Sequence, residues 1–244
     1  MSRNIYNFYG IKFYNWSFKK IINKLNQKGG YLVAPAASSL SKIFINPHYH
    51  QSLKNSSIAI YDSGFFCILL RIFNFINIKK FSGYLFLNFF INNKFLKKKK
   101  ILTIDPSKID EKLNKQLLAK SGFQNIFTYV APNYNLNDNK SLKDQKLLSL
   151  IKKIKPHYVI INIGGEKQEI LAEYITNNVS YKVVILCTGA AIAFITKRQA
   201  PINRLIDKIY LGWLIRLIYN PIVYFKRVLS SLVLIKFFLF KLEK

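Results

Sequence analysis

Six stretches of this chain are apolar without alternation, and each ends on small residues, glycine or aspartate before helical character begins. They are GYLVAPAASSL (30–40), IAIYDSGFF (58–66), KILTIDPSK (100–108), IFTYVAPNY (126–134), YVIINIGGEKQE (158–169) and KVVILCTGAAIAF (182–194). Continuous hydrophobicity over a short run marks a strand buried on both faces, as in a parallel sheet. Strand–helix units in series predict an α/β domain over residues 1–200, with a mostly parallel sheet flanked by helices. Such sheets hold ligands beyond the carboxyl ends of their strands. That rule puts Ala36, Asp62, Asp105, Gly164 and Gly189 on the rim of one crevice.

From residue 201 to 244 the pattern changes. Ile202, Leu205, Ile206 and Ile209, then Trp213, Leu214, Leu217 and Ile218, recur at helical spacing, with Arg204, Lys208 and Arg216 off the apolar line. Pro221 interrupts this pattern. The closing VLSSLVLIKFFLFKL is strongly apolar but carries Lys236 and Lys241, and it is shorter than the ~20 residues of a bilayer-spanning helix. A basic, amphipathic helical appendage is therefore expected. It has two readings: an interfacial anchor with aromatics and lysines in the headgroup layer, or helices packed on the domain's own core.

Composition narrows the partners. Of 244 residues, 38 are basic and 11 acidic, a formal charge of +27, while half are hydrophobic. The bases are mostly lysines scattered among Asn and Ile, beside dense apolar runs. An anionic membrane surface or a phosphate-rich ligand fits that mixture better than nucleic acid, which stays a second reading tested by its salt dependence. Cys67 and Cys187 each sit in an apolar run and read as reduced core thiols. The opening MSRNIYNFYGIKF has no continuous apolar core, so the expected location is cytoplasmic.

The chemistry-bearing residues are few. Asp62 lies between a buried strand and a buried helix, where it serves either as the N-cap of the helix beginning near Gly64 or as a general base in the crevice. IGGEKQE frees backbone amides of Gly164 and Gly165 to face a phosphate at a helix N-terminus, and TGAA (188–191) is a second loop of that kind. No G-x-G-x-x-G or Walker A sequence is present, which disfavours a dehydrogenase or P-loop ATPase. His48 and His50 have metal-like spacing without accompanying Cys or carboxylates, and His157 reads as structural. No D-x-D occurs to grip a metal-bound diphosphate, so arginines and helix N-termini would have to hold one.

Taken in order, YNFYGIKF, VAPAASSL, YDSGFF, KKFSG, IGGEKQE, TGAAIAF, RQAP and LGWLIRLIYNP followed by Arg227 resemble the WecG/TagA/CpsF family of bacterial glycosyltransferases over nearly the whole chain. The resemblance implies a Rossmann-like core and an inverting, metal-independent transfer, without cofactor. An N-acetylhexosamine-type sugar would pass from a UDP donor to a polyprenyl-diphosphate-linked acceptor in cell-surface polysaccharide synthesis. Asp62 would be the base, and Gln168 and Glu169 would line the pocket. Ser38 or Ser39 would take the place of a sugar-contacting Asn, since the first loop has Ala34 and Ala36 where many members have Thr and Asn. Gly64, Gly164, Gly165, Thr188 and Gly189 would complete the donor site. Arg204, Arg216 and Arg227 would meet the diphosphate and the inner face of the plasma membrane. Self-association is a further implication. Glu166 replaces a Pro common before K-Q-E, and Ala36 keeps alive a non-catalytic, scaffolding alternative.

Overall fold

The computed structural model describes residues 5–78, 80–135, 142–199 and 212–242. Eight strands form one sheet: β1 (Ile5–Phe8), β2 (Ile11–Tyr14), β3 (Gly30–Val33), β4 (Ile58–Ala59), β5 (Lys100–Asp105), β6 (Asn125–Val130), β7 (Tyr158–Ile161) and β8 (Val184–Cys187). Their order is β1-β2-β4-β3-β8-β7-β5-β6. Only β1 and β2 are antiparallel; every other pairing is parallel. The six expected strands are all present, and the α/β reading with a mostly parallel sheet holds.

The edge hairpin is the addition. Tyr9 and Gly10 have φ of 49° and 84°, the left-handed pair that a two-residue hairpin turn requires. Tyr6, Phe8, Ile11 and Phe13 point inward and Ile5, Asn7 and Lys12 outward, as a half-exposed edge demands. The central strands instead bury both faces. Val33, Cys187, Ile161 and Ile104 pack on one side, and Leu32, Leu186, Ile160 and Ile101 on the other.

The helices α1 (Phe18–Lys28), α5 (Gly83–Ile91) and α9 (Ala191–Ile195) supply residues to the second of these layers, as does α6 (Lys108–Lys120). On the other side lie α2 (Ala37–Leu40), α3 (Pro47–Lys54), α4 (Gly64–Asn74), α7 (Gln145–Ile154) and α8 (Lys167–Asn178). The last two described helices are α10 (Gly212–Tyr219) and α11 (Pro221–Leu242). Pro221 stands at the first position of α11, where its missing N–H costs nothing.

The far half of α11 belongs to the core. Leu234 and Phe238 are buried, and the Phe238 ring lies 5.2 Å from Phe8 and 5.9 Å from Phe66. Tyr9 donates its hydroxyl to the Phe237 carbonyl at 2.8 Å. The outward side of α11 keeps Ile222, Phe225 and Leu229 exposed. The expectation of helices packed on the domain's own core therefore holds for the inward side of this helix. No helix among the described residues is long and apolar enough to cross a membrane.

Chain order fixes where a ligand can enter. From β3 the chain moves outward to β4, later strands build the opposite flank, and β8 returns between β3 and β7. Loops leaving β3 and β8 diverge there and open a crevice.

Candidate functional site

A cavity of about 1240 Å³ occupies that crevice. Its wall includes Ser38 and Ser39 after β3, Asp62 and Gly64 after β4, Gly164, Gly165, Gln168 and Glu169 after β7, Thr188 and Gly189 after β8, and Arg227 of α11. Every residue expected to bind or catalyse whose side chain is described lies on it, whereas Asp105, placed on the rim by the strand-end rule, is buried and does not. Arg204 lies outside the described residues; Arg216 belongs to α10 by its backbone, and its side chain is outside the described set.

Asp62 is not the cap of α4. Ser63 takes that place, its Oγ accepting the Phe66 amide at 3.2 Å. Asp62 Oδ1 instead accepts the amide of Gly83, the first residue of α5, at 2.8 Å. The carboxylate is therefore held at the positive end of α5, one residue before the cap of α4. Gly83 can approach so closely because it lacks a side chain. A Cβ there would lie 2.9 Å from the Thr188 carbonyl oxygen and 3.2 Å from Ala34 Cβ.

The glycine loops differ from expectation in one respect. The Gly189 amide is not open to a phosphate: at φ 63° it donates to Gln168 Oε1 at 3.1 Å. Gln168 Nε2 in turn donates to Glu169 Oε1 at 2.8 Å. One carboxamide thus ties the β8 turn to α8. Gln168 and Glu169 are almost fully buried, so they support the wall rather than project from it. Burial raises the Glu169 carboxyl to about 7, against the pull of the Gln168 carboxamide and of the Glu169 and Glu166 amides. Gly165 presses on Ser39, whose Oγ would lie 2.8 Å from an added Cβ. The amides of Gly164 and Gly165 donate no hydrogen bond among the described residues.

Glu166, in place of Pro, stands at φ 72°, which proline's ring forbids. Lys42 holds its carboxylate at 2.6 Å and Asn46 Nδ2 lies 3.4 Å from the second oxygen. The substitution therefore changes the loop's backbone as well as its charge.

Sequence reasoning passed over several wall residues. Arg198, inside the quoted RQAP, lines the cavity and pairs with Asp110 of α6 at 3.5 Å. Asn114 and Asn162 line it and turn their Nδ2 groups to Asp105 at 2.6 and 2.7 Å. Asp105 itself is sealed, with Thr103 Oγ1 donating at 2.7 Å; burial raises its carboxyl although three donors oppose it. The arginine was visible in its motif. The asparagines carried no local signal, because only the fold brings residues 105, 114 and 162 together.

His48 and His50 lie in α3 after its N-cap Asn46 and Pro47, and His50 Nε2 meets the Tyr9 carbonyl at 2.7 Å. Among the described residues no group of three or more His, Cys, Asp or Glu could hold a metal ion. Cys67 and Cys187 are free and buried.

A parallel α/β sheet with a carboxylate and two glycine loops converging on one large crevice defines a ligand-binding enzyme scaffold. The family model described as "Glycosyl transferase WecG/TagA/CpsF family" matches residues 6–244, and the chain belongs to that family. It is a glycosyltransferase by that membership. No individual curated protein matches the chain.

Proposed function

We propose that the chain is an inverting glycosyltransferase that moves an N-acetylhexosamine-type sugar from UDP to a polyprenyl-diphosphate-linked acceptor, with Asp62 as the base. The observation that carries this reading is Asp62, anchored through Oδ1 at a helix N-terminus and on the same cavity wall as the Gly164–Gly165 loop. An acceptor hydroxyl gives its proton to the Asp62 carboxylate as its oxygen attacks the anomeric carbon. The bond to the UDP oxygen breaks on the opposite face, and configuration inverts. Charge gathering on the departing diphosphate is met by the amides of Gly164 and Gly165 and by the Arg198 and Arg227 guanidiniums, donors that serve without a metal.

A membrane surface accounts for the outward side of α11. Ile222, Phe225 and Leu229 recur there at helical spacing with Lys226 between them. The adjoining α4 adds exposed Ile68 and Ile72, and Phe75 just beyond its end is exposed too. Ile68 and Leu232 also line the cavity, so a lipid-borne acceptor resting on this surface reaches the site directly. Residence on the inner face of the plasma membrane follows from that acceptor. The scaffolding alternative rests on Ala36, which lines the cavity without a side chain able to hold a sugar.

The deciding experiment incubates the protein with UDP-N-acetylhexosamines and a polyprenyl-diphosphate-linked sugar in excess EDTA, followed by mass spectrometry and assignment of the anomeric configuration. Transfer with inversion is expected; donor binding without any product selects the scaffold. For the membrane, Ile222→Ser, Phe225→Ser and Leu229→Ser together are preferable to truncation, which would uncover Phe8 and Phe66. The triple variant should leave anionic vesicles in flotation, and unchanged binding contradicts the anchor.

A further inference from the structure

Glu169 is a buried acid that the proposed displacement does not use. It stands in the first turn of α8, 1% exposed, on the wall that also carries Gly164 and Gly165. Oε1 accepts from Gln168, which accepts in turn from Gly189, so this carboxyl is the root of the hydrogen-bond string that ties the Gly189 turn to α8. Oε2 is buried with no hydrogen-bond partner. An ionised oxygen left without a donor is far costlier to bury than a neutral one.

Among the described residues, the titratable groups that bear on this part of the wall are phenols, a thiol and carboxyls. Tyr49 comes from α3, Tyr31 from β3, and Cys187 from β8, while Glu166 and Glu173 lie on α8 or at its cap. Lys42, the near positive charge, is paired with Glu166. A diphosphate entering beside the Gly164–Gly165 loop brings further negative charge into this low-dielectric pocket, where repulsion is strong.

We infer that Glu169 is the positioning residue of the donor site and must carry a proton when the diphosphate is bound, so that donor binding takes up a proton from solvent. The inference rests on the donor reading above. Protonated, the acid still accepts from Gln168 through its carbonyl oxygen, keeps the Gly189 turn in place and presents no charge to the ligand. Ionised, it opposes the ligand across the wall. Because the free protein holds this carboxyl near 7, the linkage falls in the neutral range.

The test titrates UDP-N-acetylglucosamine, whose phosphates do not change ionisation near neutrality, into the full-length protein by calorimetry. At pH 7.5, buffers of different ionisation enthalpy should reveal uptake of about 0.7 proton per site, and affinity should fall about tenfold from pH 6 to pH 8. Glu169→Gln keeps an acceptor for Gln168 and cannot ionise; it should bind with flat affinity and no proton uptake. Glu169→Asp, whose carboxyl falls short of Gln168, should bind weakly at every pH. Proton uptake of zero in the parent protein overturns the inference, as does a pH slope that survives in Glu169→Gln, which would assign the titration to another group. Absence of binding at every pH removes the donor reading and this inference together, whereas pH-independent binding removes this inference alone.

Discussion

Two aspartates follow parallel strands of the same sheet, Asp62 after β4 and Asp105 at the end of β5, and they meet opposite fates. Asp105 is sealed from solvent and accepts hydrogen bonds from Thr103, Asn114 and Asn162. Asp62 remains partly exposed on the cavity wall, anchored through Oδ1 by the Gly83 amide. A carboxylate whose lone pairs are filled by fixed donors is a structural hub. One held at a helix N-terminus and open to a cavity can act on a ligand. Strand-end position does not decide between them; burial does, sealing Asp105 and leaving Asp62 on the cavity wall.

Asparagine substitutions separate the two most sharply. Asp62→Asn should lower sugar transfer by ~10²–10⁴-fold, the usual worth of a general base, with denaturation midpoint and donor affinity nearly unchanged. Asp105→Asn should retain transfer within about tenfold, because the new carboxamide oxygen still accepts from Asn114 and Asn162 while its nitrogen donates to Thr103. Full activity in Asp62→Asn would remove the base. Asp105→Ala is the second break, since it strands the donors of buried Thr103 and Asn114 and of half-buried Asn162. A loss of ~3 kcal/mol is expected in urea unfolding. A change under ~1 kcal/mol would deny Asp105 its role as a hub.

Another buried acid, Glu169, tests the same contrast through pH. The Glu169 carboxyl is raised from 4.5 unfolded to about 7 folded, so the folded state binds the extra proton between those values. Its contribution is therefore fully present below pH 4.5, falls as pH rises, and is lost above 7, a decline of ~3 kcal/mol. Denaturant midpoints measured from pH 5 to pH 8 should show most of that slope in the parent protein and little of it in Glu169→Gln. Equal slopes would place the titration elsewhere.

Much of the fold was legible because its signal is local. Unbroken apolar runs such as YVII and VILC announce strands buried on two faces, and they form β7 and β8. The β1–β2 hairpin was less so, since its four-residue alternation is short and its turn relies on Tyr9 rather than Asn or Asp. At the site, Ala36, Asp62, Gly164 and Gly189 could be placed by the strand-end rule, which also put the sealed Asp105 there. Their hydrogen bonds could not. The Gly83–Asp62 contact spans 21 residues, as does Gly189–Gln168, and no periodicity encodes such pairs.

Gly83→Ala probes how closely α5 holds the active carboxylate. An added methyl meets the Thr188 carbonyl, which belongs to backbone and cannot swing aside. Overpacking of this kind costs ~1–3 kcal/mol, and the Gly83 amide must retreat from Asp62 Oδ1. Transfer should fall with kcat while donor affinity holds. A loss of donor affinity with kcat unchanged would show that the glycine shapes the donor pocket instead of aiming the base.

The smallest effect concerns Asp110, a third kind of carboxylate on the same crevice. Its partner Arg198 is 47% exposed and the pair spans 3.5 Å, so solvent screens most of the attraction. Asp110→Asn should shift stability by less than ~1 kcal/mol. It also releases a guanidinium that lines the cavity, and a free guanidinium is a better partner for a diphosphate than one already engaged by a carboxylate. Donor affinity should therefore rise a few-fold in Asp110→Asn and fall in Arg198→Ala, both read by calorimetry at one salt concentration. If Arg198→Ala binds the donor as tightly as the parent, the ion pair only fastens α6 to the turn after α9, and Asp110 joins Asp105 on the structural side.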